Sequence, residues 1–136
     1  MATFNKFNSF VEALAEKQHN LGLDTLVIAL TNTAPTSANT QLSDITQIAY
    51  TNLSSRTLTV SSSAQTSGLY KLVVNDITLT STGGSTGPFR YIVIYNDTST
   101  NDLLIGYYDY GSAQTLSAGQ SLTVDFDATN GLLTLQ

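Results

Sequence analysis

The residues able to do chemistry in this chain are few: one histidine, ten carboxylates and seven tyrosines, with no cysteine and no tryptophan. His19 would be the base of any Ser–His–acid hydrolase, but no Gly-x-Ser-x-Gly elbow accompanies it. It falls at the end of an apolar-periodic stretch, where a helix C-terminus stabilises a cationic imidazole; a structural role is expected. Glu12 and Glu16 are four apart on a helical face opposite the apolar stripe, and read as solvent-facing. Asp125 and Asp127 share the outer face of a strand, with Asp109 on another, an oxygen set of the kind calcium takes, though the spacing matches no calcium loop. Residues 83–88 (GGSTGP) lack the lysine and following helix of a phosphate loop, and read as a sharp turn. No cysteine chemistry is available. The expectation is a protein with no catalytic residue, no metal and no cofactor.

The tyrosines are the more telling group. Tyr91, Tyr95, Tyr107, Tyr108 and Tyr110 fall on one predicted hairpin, and tyrosine brings apolar area with a polar tip to interfaces. Alternation puts Tyr108 and Tyr110 on one face and Tyr107 and Asp109 on the other, unless Gly106 shifts the register. Tyr107, Tyr108 and Tyr110 are candidate contact residues. The sequons at Asn52 and Asn96 are of the kind that chance produces in so Thr/Ser-rich a chain.

These residues must be positioned by one domain, since the chain has 136 residues and a domain of that size folds without staples. Phe4, Phe7, Val11, Leu14, Gln18 and Leu21, widened by Phe10, recur at helical spacing, which predicts an amphipathic helix over 4–21 stopped at Gly22. Its aromatic stripe either covers the sheet or docks on a partner or sister subunit, so Phe4, Phe7, Phe10, Val11 and Leu14 join the candidate interface residues. From residue 24 the period becomes two. Residues 24–32 read as a strand buried on both faces and 45–50 as a short strand or turn. Residues 56–62 read as a strand with Leu58 and Val60 inward, and 70–80 as one with a bulge or bend at Asn75-Asp76. Residues 89–96, with Phe89, Tyr91, Val93 and Tyr95 on one face, pair with 102–110 in a hairpin. Gly106 marks a bulge or a close backbone approach. Residues 121–127 put Leu122, Val124 and Phe126 inward, and Asn130-Gly131 closes a final hairpin with 132–135. Seven or eight short strands with one N-terminal helix predict a mainly β protein, an antiparallel β-sandwich of jelly-roll or Ig-like type.

Charged residues are 11% of the chain, against about 25% in a typical protein. The surface must therefore be Thr, Ser, Asn and Gln, hydrated through neutral hydrogen bonds that salt barely screens. Net charge is −5, and Lys6, Lys17, Arg56, Lys71 and Arg90 are the only basic residues. They are scattered, which argues against nucleic acid as a partner. No apolar run reaches a membrane span. The N-terminus lacks a signal-peptide layout, predicting synthesis in the cytoplasm.

Residues 10–22 (FVEALAEKQHNLG) followed by 26–35 (LVIALTNTAP) resemble the opening of a family of small structural proteins of tailed-bacteriophage virions. Residues 87–91 (GPFRY), 95–98 (YNDT), 105–111 (IGYYDYG) and 124–127 (VDFD) follow the same pattern. The resemblance spans nearly the whole chain except around 50–68, where this chain runs shorter. It implies a structural role in a phage particle and carries over no catalytic residue. A capsid decoration (cement) protein needs modest size, high solubility, rigidity and an apolar or strand-edge contact, all of which this chain offers. Its partner would be the major capsid protein, its place the capsid surface, and its oligomer a homotrimer by analogy with local three-fold junctions. The alternative is a tail or tail-fibre binding module that holds host-surface glycans on Tyr107, Tyr108 and Tyr110.

Overall fold

The computed structural model describes residues 2–136. Nine strands form among them: β1 (Asn5–Lys6), β2 (Leu26–Thr31), β3 (Val60–Thr66), β4 (Leu69–Val74), β5 (Ile77–Thr80), β6 (Thr86–Asn96), β7 (Leu103–Leu116), β8 (Ser121–Val124) and β9 (Leu133–Leu135). The helix α1 (Asn8–Ala15) lies between β1 and β2. Every pairing is antiparallel, in sheets ordered β1-β7-β6-β2, β3-β4-β9 and β5-β8. The chain is thus mainly β, with a sandwich architecture, as its alternating pattern predicts.

The main core lies between one face of the four-stranded sheet and the two smaller sheets. Leu26, Ile28 and Leu30 of β2 and Ile92 and Ile94 of β6 meet Leu72 and Val74 of β4, Leu79 of β5 and Val124 of β8 there. The opposite face of the same sheet is also covered. Val27, Ala29, Val93, Tyr95 and Leu104 pack beneath Phe7, Ile45 and Leu42. β2 is therefore buried at all six positions, which explains its nearly unbroken apolar run. Residues 45–50 form no strand but tie this cover down: the Ile48 amide donates to the Leu30 carbonyl, and the Leu30 amide donates to the Tyr50 hydroxyl.

The structure corrects four sequence expectations. The helix spans 8–15, not 4–21: Asn5 and Lys6 pair instead with Tyr107 and Gly106, and Lys17 takes a left-handed backbone (φ 67°) that ends the helical turn. Val11, expected in the apolar stripe, is 51% exposed; Phe10 and Ala13 are the buried residues of α1. Phe89 does not share a face with Val93 and Tyr95. Register shifts between Phe89 and Tyr91 turn it into the main core with Ile92 and Ile94. The final hairpin does not exist: β8 pairs with β5, and β9 pairs with β4. The turn at 127–131 carries the chain from one small sheet to the other. The break at Asn75-Asp76 makes the reverse crossing between β4 and β5, and the two crossings are joined where the Phe126 amide donates to Asp76 Oδ1.

Gly106 is a close backbone approach, as expected. A Cβ there would collide with the Phe4 ring and lie 2.9 Å from the Asn5 carbonyl oxygen. Gly106→Val must displace both Phe4 and β1. It is expected to cost about 1–3 kcal/mol, the range for overpacking, read as a lowered urea midpoint at unchanged slope.

Candidate functional site

The tyrosines of β7 divide between the two faces of the sheet. Tyr107 turns to the second core, its ring 5.2 Å from that of Phe7. Tyr108 turns to the main core, its ring tilted against Phe4 at 5.6 Å and Phe126 at 6.1 Å. Tyr110 stands 45% exposed beyond it. Tyr108 and Tyr110 line a groove of about 380 Å³ with Ala2, Ile92, Thr123, Val124, Asp125 and Phe126. Strand β7 supplies one wall and the β8 segment the other, so the groove opens where the four-stranded sheet and the β5-β8 sheet part. Its floor is apolar, with phenol, hydroxyl and carboxylate groups around it. Burial, with a smaller contribution from the Asp127 charge, pushes the Tyr108 phenol up to about 12. It therefore remains a proton donor across the neutral range.

The three aspartates considered for a cation are not brought together. Asp109 is held by Arg90, which donates from Nε at 2.8 Å and from Nη2 at 3.0 Å. That pairing, with the Gly111 amide, holds its carboxyl below the ordinary range. Asp127 closes the turn before β9 by accepting from the Thr129 and Asn130 amides, and its carboxyl is likewise lowered, mainly by Asn130. Asp125 alone lines the groove. Among the described residues no three His, Asp or Glu side chains are grouped to hold a metal ion.

His19 is corrected too. It lies beyond the helix, 6% exposed, its ring 5.2 Å from that of Phe10. Burial lowers its pKa below the ordinary 6.5, with Asp24 pulling the other way. It is therefore a neutral ring and not a cation at a helix terminus. Its Nδ1 faces Asn96 Nδ2 at 2.9 Å, and the same Nδ2 donates to Asp24 Oδ2. Asn96, visible in the sequence only as part of a sequon, is fully buried. Glu12 and Glu16 are exposed, as expected.

Of the other candidates, Phe7 and Phe10 are buried within their own chain, and Phe4 and Leu14 are half-buried against the main core. A second, more open cleft of about 620 Å³ lies between α1 and the edge strands β1 and β9, lined by Phe4, Lys6, Phe10, Leu69, Lys71 and Leu135 among others. Leu69 and Leu135 are two of the exposed large apolar side chains. Neither was singled out in the sequence, because Leu135 ends the edge strand β9 and Leu69 begins β4, the central strand beside it, and only the strand order puts both at one cleft.

Comparison with known proteins finds no matching family, no matching curated protein and no matching solved structure. No helix among the described residues is long and apolar enough to cross a membrane.

Proposed function

We propose that this chain is a structural component of a tailed-phage particle, a decoration protein that binds and stabilises the shell of the major capsid protein. The observation that carries this reading is the cleft between β1 and β9. It places two unpaired sheet edges, two exposed leucines and two of the five basic side chains, Lys6 and Lys71, on one surface. Strand edges and exposed apolar side chains are what a protein lattice can grip. The basic groups are dispersed and partly engaged: Arg56 stacks on Tyr50 and donates to the Ile28 carbonyl, Arg90 is paired with Asp109, Lys71 donates to the Thr129 carbonyl, and Lys17 stands exposed just beyond α1. This disfavours nucleic acid as the partner. The reading includes a homotrimer and no catalysis.

The test is co-sedimentation of purified protein with particles lacking it, followed by cryo-EM. Density over the shell is expected, with a solution mass three times that of the chain. Leu69→Asp with Leu135→Asp should weaken binding at least about tenfold, the loss of about 1.4 kcal/mol or more. Density confined to the tail tip overturns the decoration role. Ester or glycan turnover abolished by His19→Ala overturns the non-catalytic one.

A further inference from the structure

The groove between β7 and β8 is separate from the docking cleft, and its chemistry is different. We propose that it binds an uncharged saccharide, with the Tyr110 ring as the stacking platform and the Asp125 carboxylate and Tyr108 hydroxyl as hydrogen-bonding groups. The proposal goes beyond the docking reading and does not depend on it.

Three observations lead there. First, a cavity of about 380 Å³ falls within the roughly 300–1,000 Å³ typical of small-molecule sites, which are apolar with a few convergent polar groups. Ile92, Val124 and Phe126 supply the apolar floor. Second, three of the four polar side chains that line it are uncommitted. Among the described residues the Tyr108 and Tyr110 hydroxyls and the Asp125 carboxylate make no hydrogen bond. Neighbouring groups are by contrast engaged: Thr123 bonds Thr78 across the strand pair, Asp109 holds Arg90, and Asp127 closes its turn. Third, Tyr110 is the one exposed tyrosine of the seven, so its ring is available to a ligand.

The chemical class follows from what these groups offer. A pyranose presents an apolar C–H face and a rim of hydroxyls. The Tyr110 ring matches the face. An ionised carboxylate accepts only, and can take two hydroxyl donors, while a phenol both donates and accepts. An anionic ligand would meet Asp125 in the groove, with the Asp127 charge close enough to act on Tyr108. A quaternary ammonium needs several ring faces arranged as a cage. Tyr108 offers none, because its ring is packed between Phe4 and Phe126. Hydrolysis of the sugar by a carboxylate pair is not part of the proposal, since a single carboxylate lines the groove.

The experiment is a titration of the isotope-labelled protein, followed by amide NMR, with maltose, lactose, cellobiose and chitobiose in turn. At least one is expected to shift the amides of 108–110 and 123–126 saturably, with a dissociation constant on the order of 1 mM. Tyr110→Ala and Asp125→Ala, both at exposed positions, should each weaken that binding about tenfold or more while leaving the rest of the spectrum in place. Tyr110→Phe should retain most of it. The proposal is overturned if no disaccharide shifts these amides up to about 50 mM, far above that constant. It is also overturned if the shifts survive both alanine variants, or if tetramethylammonium produces them and the sugars do not.

Discussion

Phe7→Ala is expected to lower the stability of this protein by about 3–5 kcal/mol, the range for removing a buried phenylalanine, whereas Val11→Ser should leave it within about 0.5 kcal/mol. The two residues are four apart and looked equivalent in the apolar stripe. Phe7 is fully buried among Val27, Ala29, Ile45, Val93, Tyr95 and Leu104, with Tyr107 against its ring. It is the centrepiece of the second core, and its loss leaves one face of the four-stranded sheet without its main cover. Val11 is largely in solvent. Against a total of about 5–15 kcal/mol for an ordinary domain, the Phe7 variant should be near its unfolding threshold at 37 °C. Urea titration followed by circular dichroism separates the two. If Phe7→Ala keeps its midpoint and instead fails to bind particles, the stripe is a docking surface and the second core is misjudged.

That pair also shows where the sequence is legible and where it is not. The periodicity of residues 4–21 is real, since Phe7, Phe10 and Leu21 are all buried. It does not belong to one helix. Phe4 sits beside β1 on Gly106, Phe10 is on α1, and Leu21 lies in the loop before β2. A stripe at spacing three and four records what is buried, and different elements can bury its members. The strands of the β6–β7 hairpin were readable because alternation and a six-residue connection are local. The face of Phe89 was not, because the register shifts that turn it inward leave no mark on residue types. The turn at Asn130-Gly131 was readable as a turn. Which strand follows it to which sheet depends on contacts with β4 and β5, some fifty residues away.

The candidate groove divides in the same way. That Tyr108 and Tyr110 share a face follows from their spacing, and Asp125 outward with Val124 and Phe126 inward follows from alternation. That these two sets meet across one opening depends on β7 and β8 lying in adjacent sheets, which is a matter of topology. Thr123 and Ala2 complete the groove and had no signal at all. The cleft at β1 and β9 is the harder case, because being at a sheet edge is a property of the strand order.

Asn96→Ala should be as damaging as the loss of Phe7, through polar groups and not apolar ones. The Asn96 side chain accepts from the Thr98 and Ser99 amides at 2.9 and 3.2 Å, and donates at 2.9 Å to His19 Nδ1 and at 2.6 Å to Asp24 Oδ2. Because Oδ1 is fixed by two amide donors, Nδ2 must be the donor to the imidazole. His19 Nδ1 is therefore an acceptor and the proton sits on Nε2. At about 1 kcal/mol per neutral hydrogen bond, and up to about 3 for the one to the carboxylate, the variant loses about 3–6 kcal/mol. It also frees the segment after α1 from the β6–β7 hairpin. The same geometry fixes an acid response. A proton on Nδ1 would set two donors against each other, in a site where burial already holds the pKa below 6.5. The neutral ring's contribution is fully present above pH 6.5 and is lost as pH falls through 6.5 toward the lower folded value. Asp44, Asp109 and Asp127, held below their ordinary 3.8 by hydrogen bonds, respond only in a more acidic window. Melting temperature should therefore begin to fall below pH 6.5 in the native chain. In His19→Gln, which keeps an acceptor for Asn96 without a titrating ring, it should stay flat until the carboxylates protonate. If the two chains follow the same curve between pH 6.5 and 5, His19 is not the group that titrates.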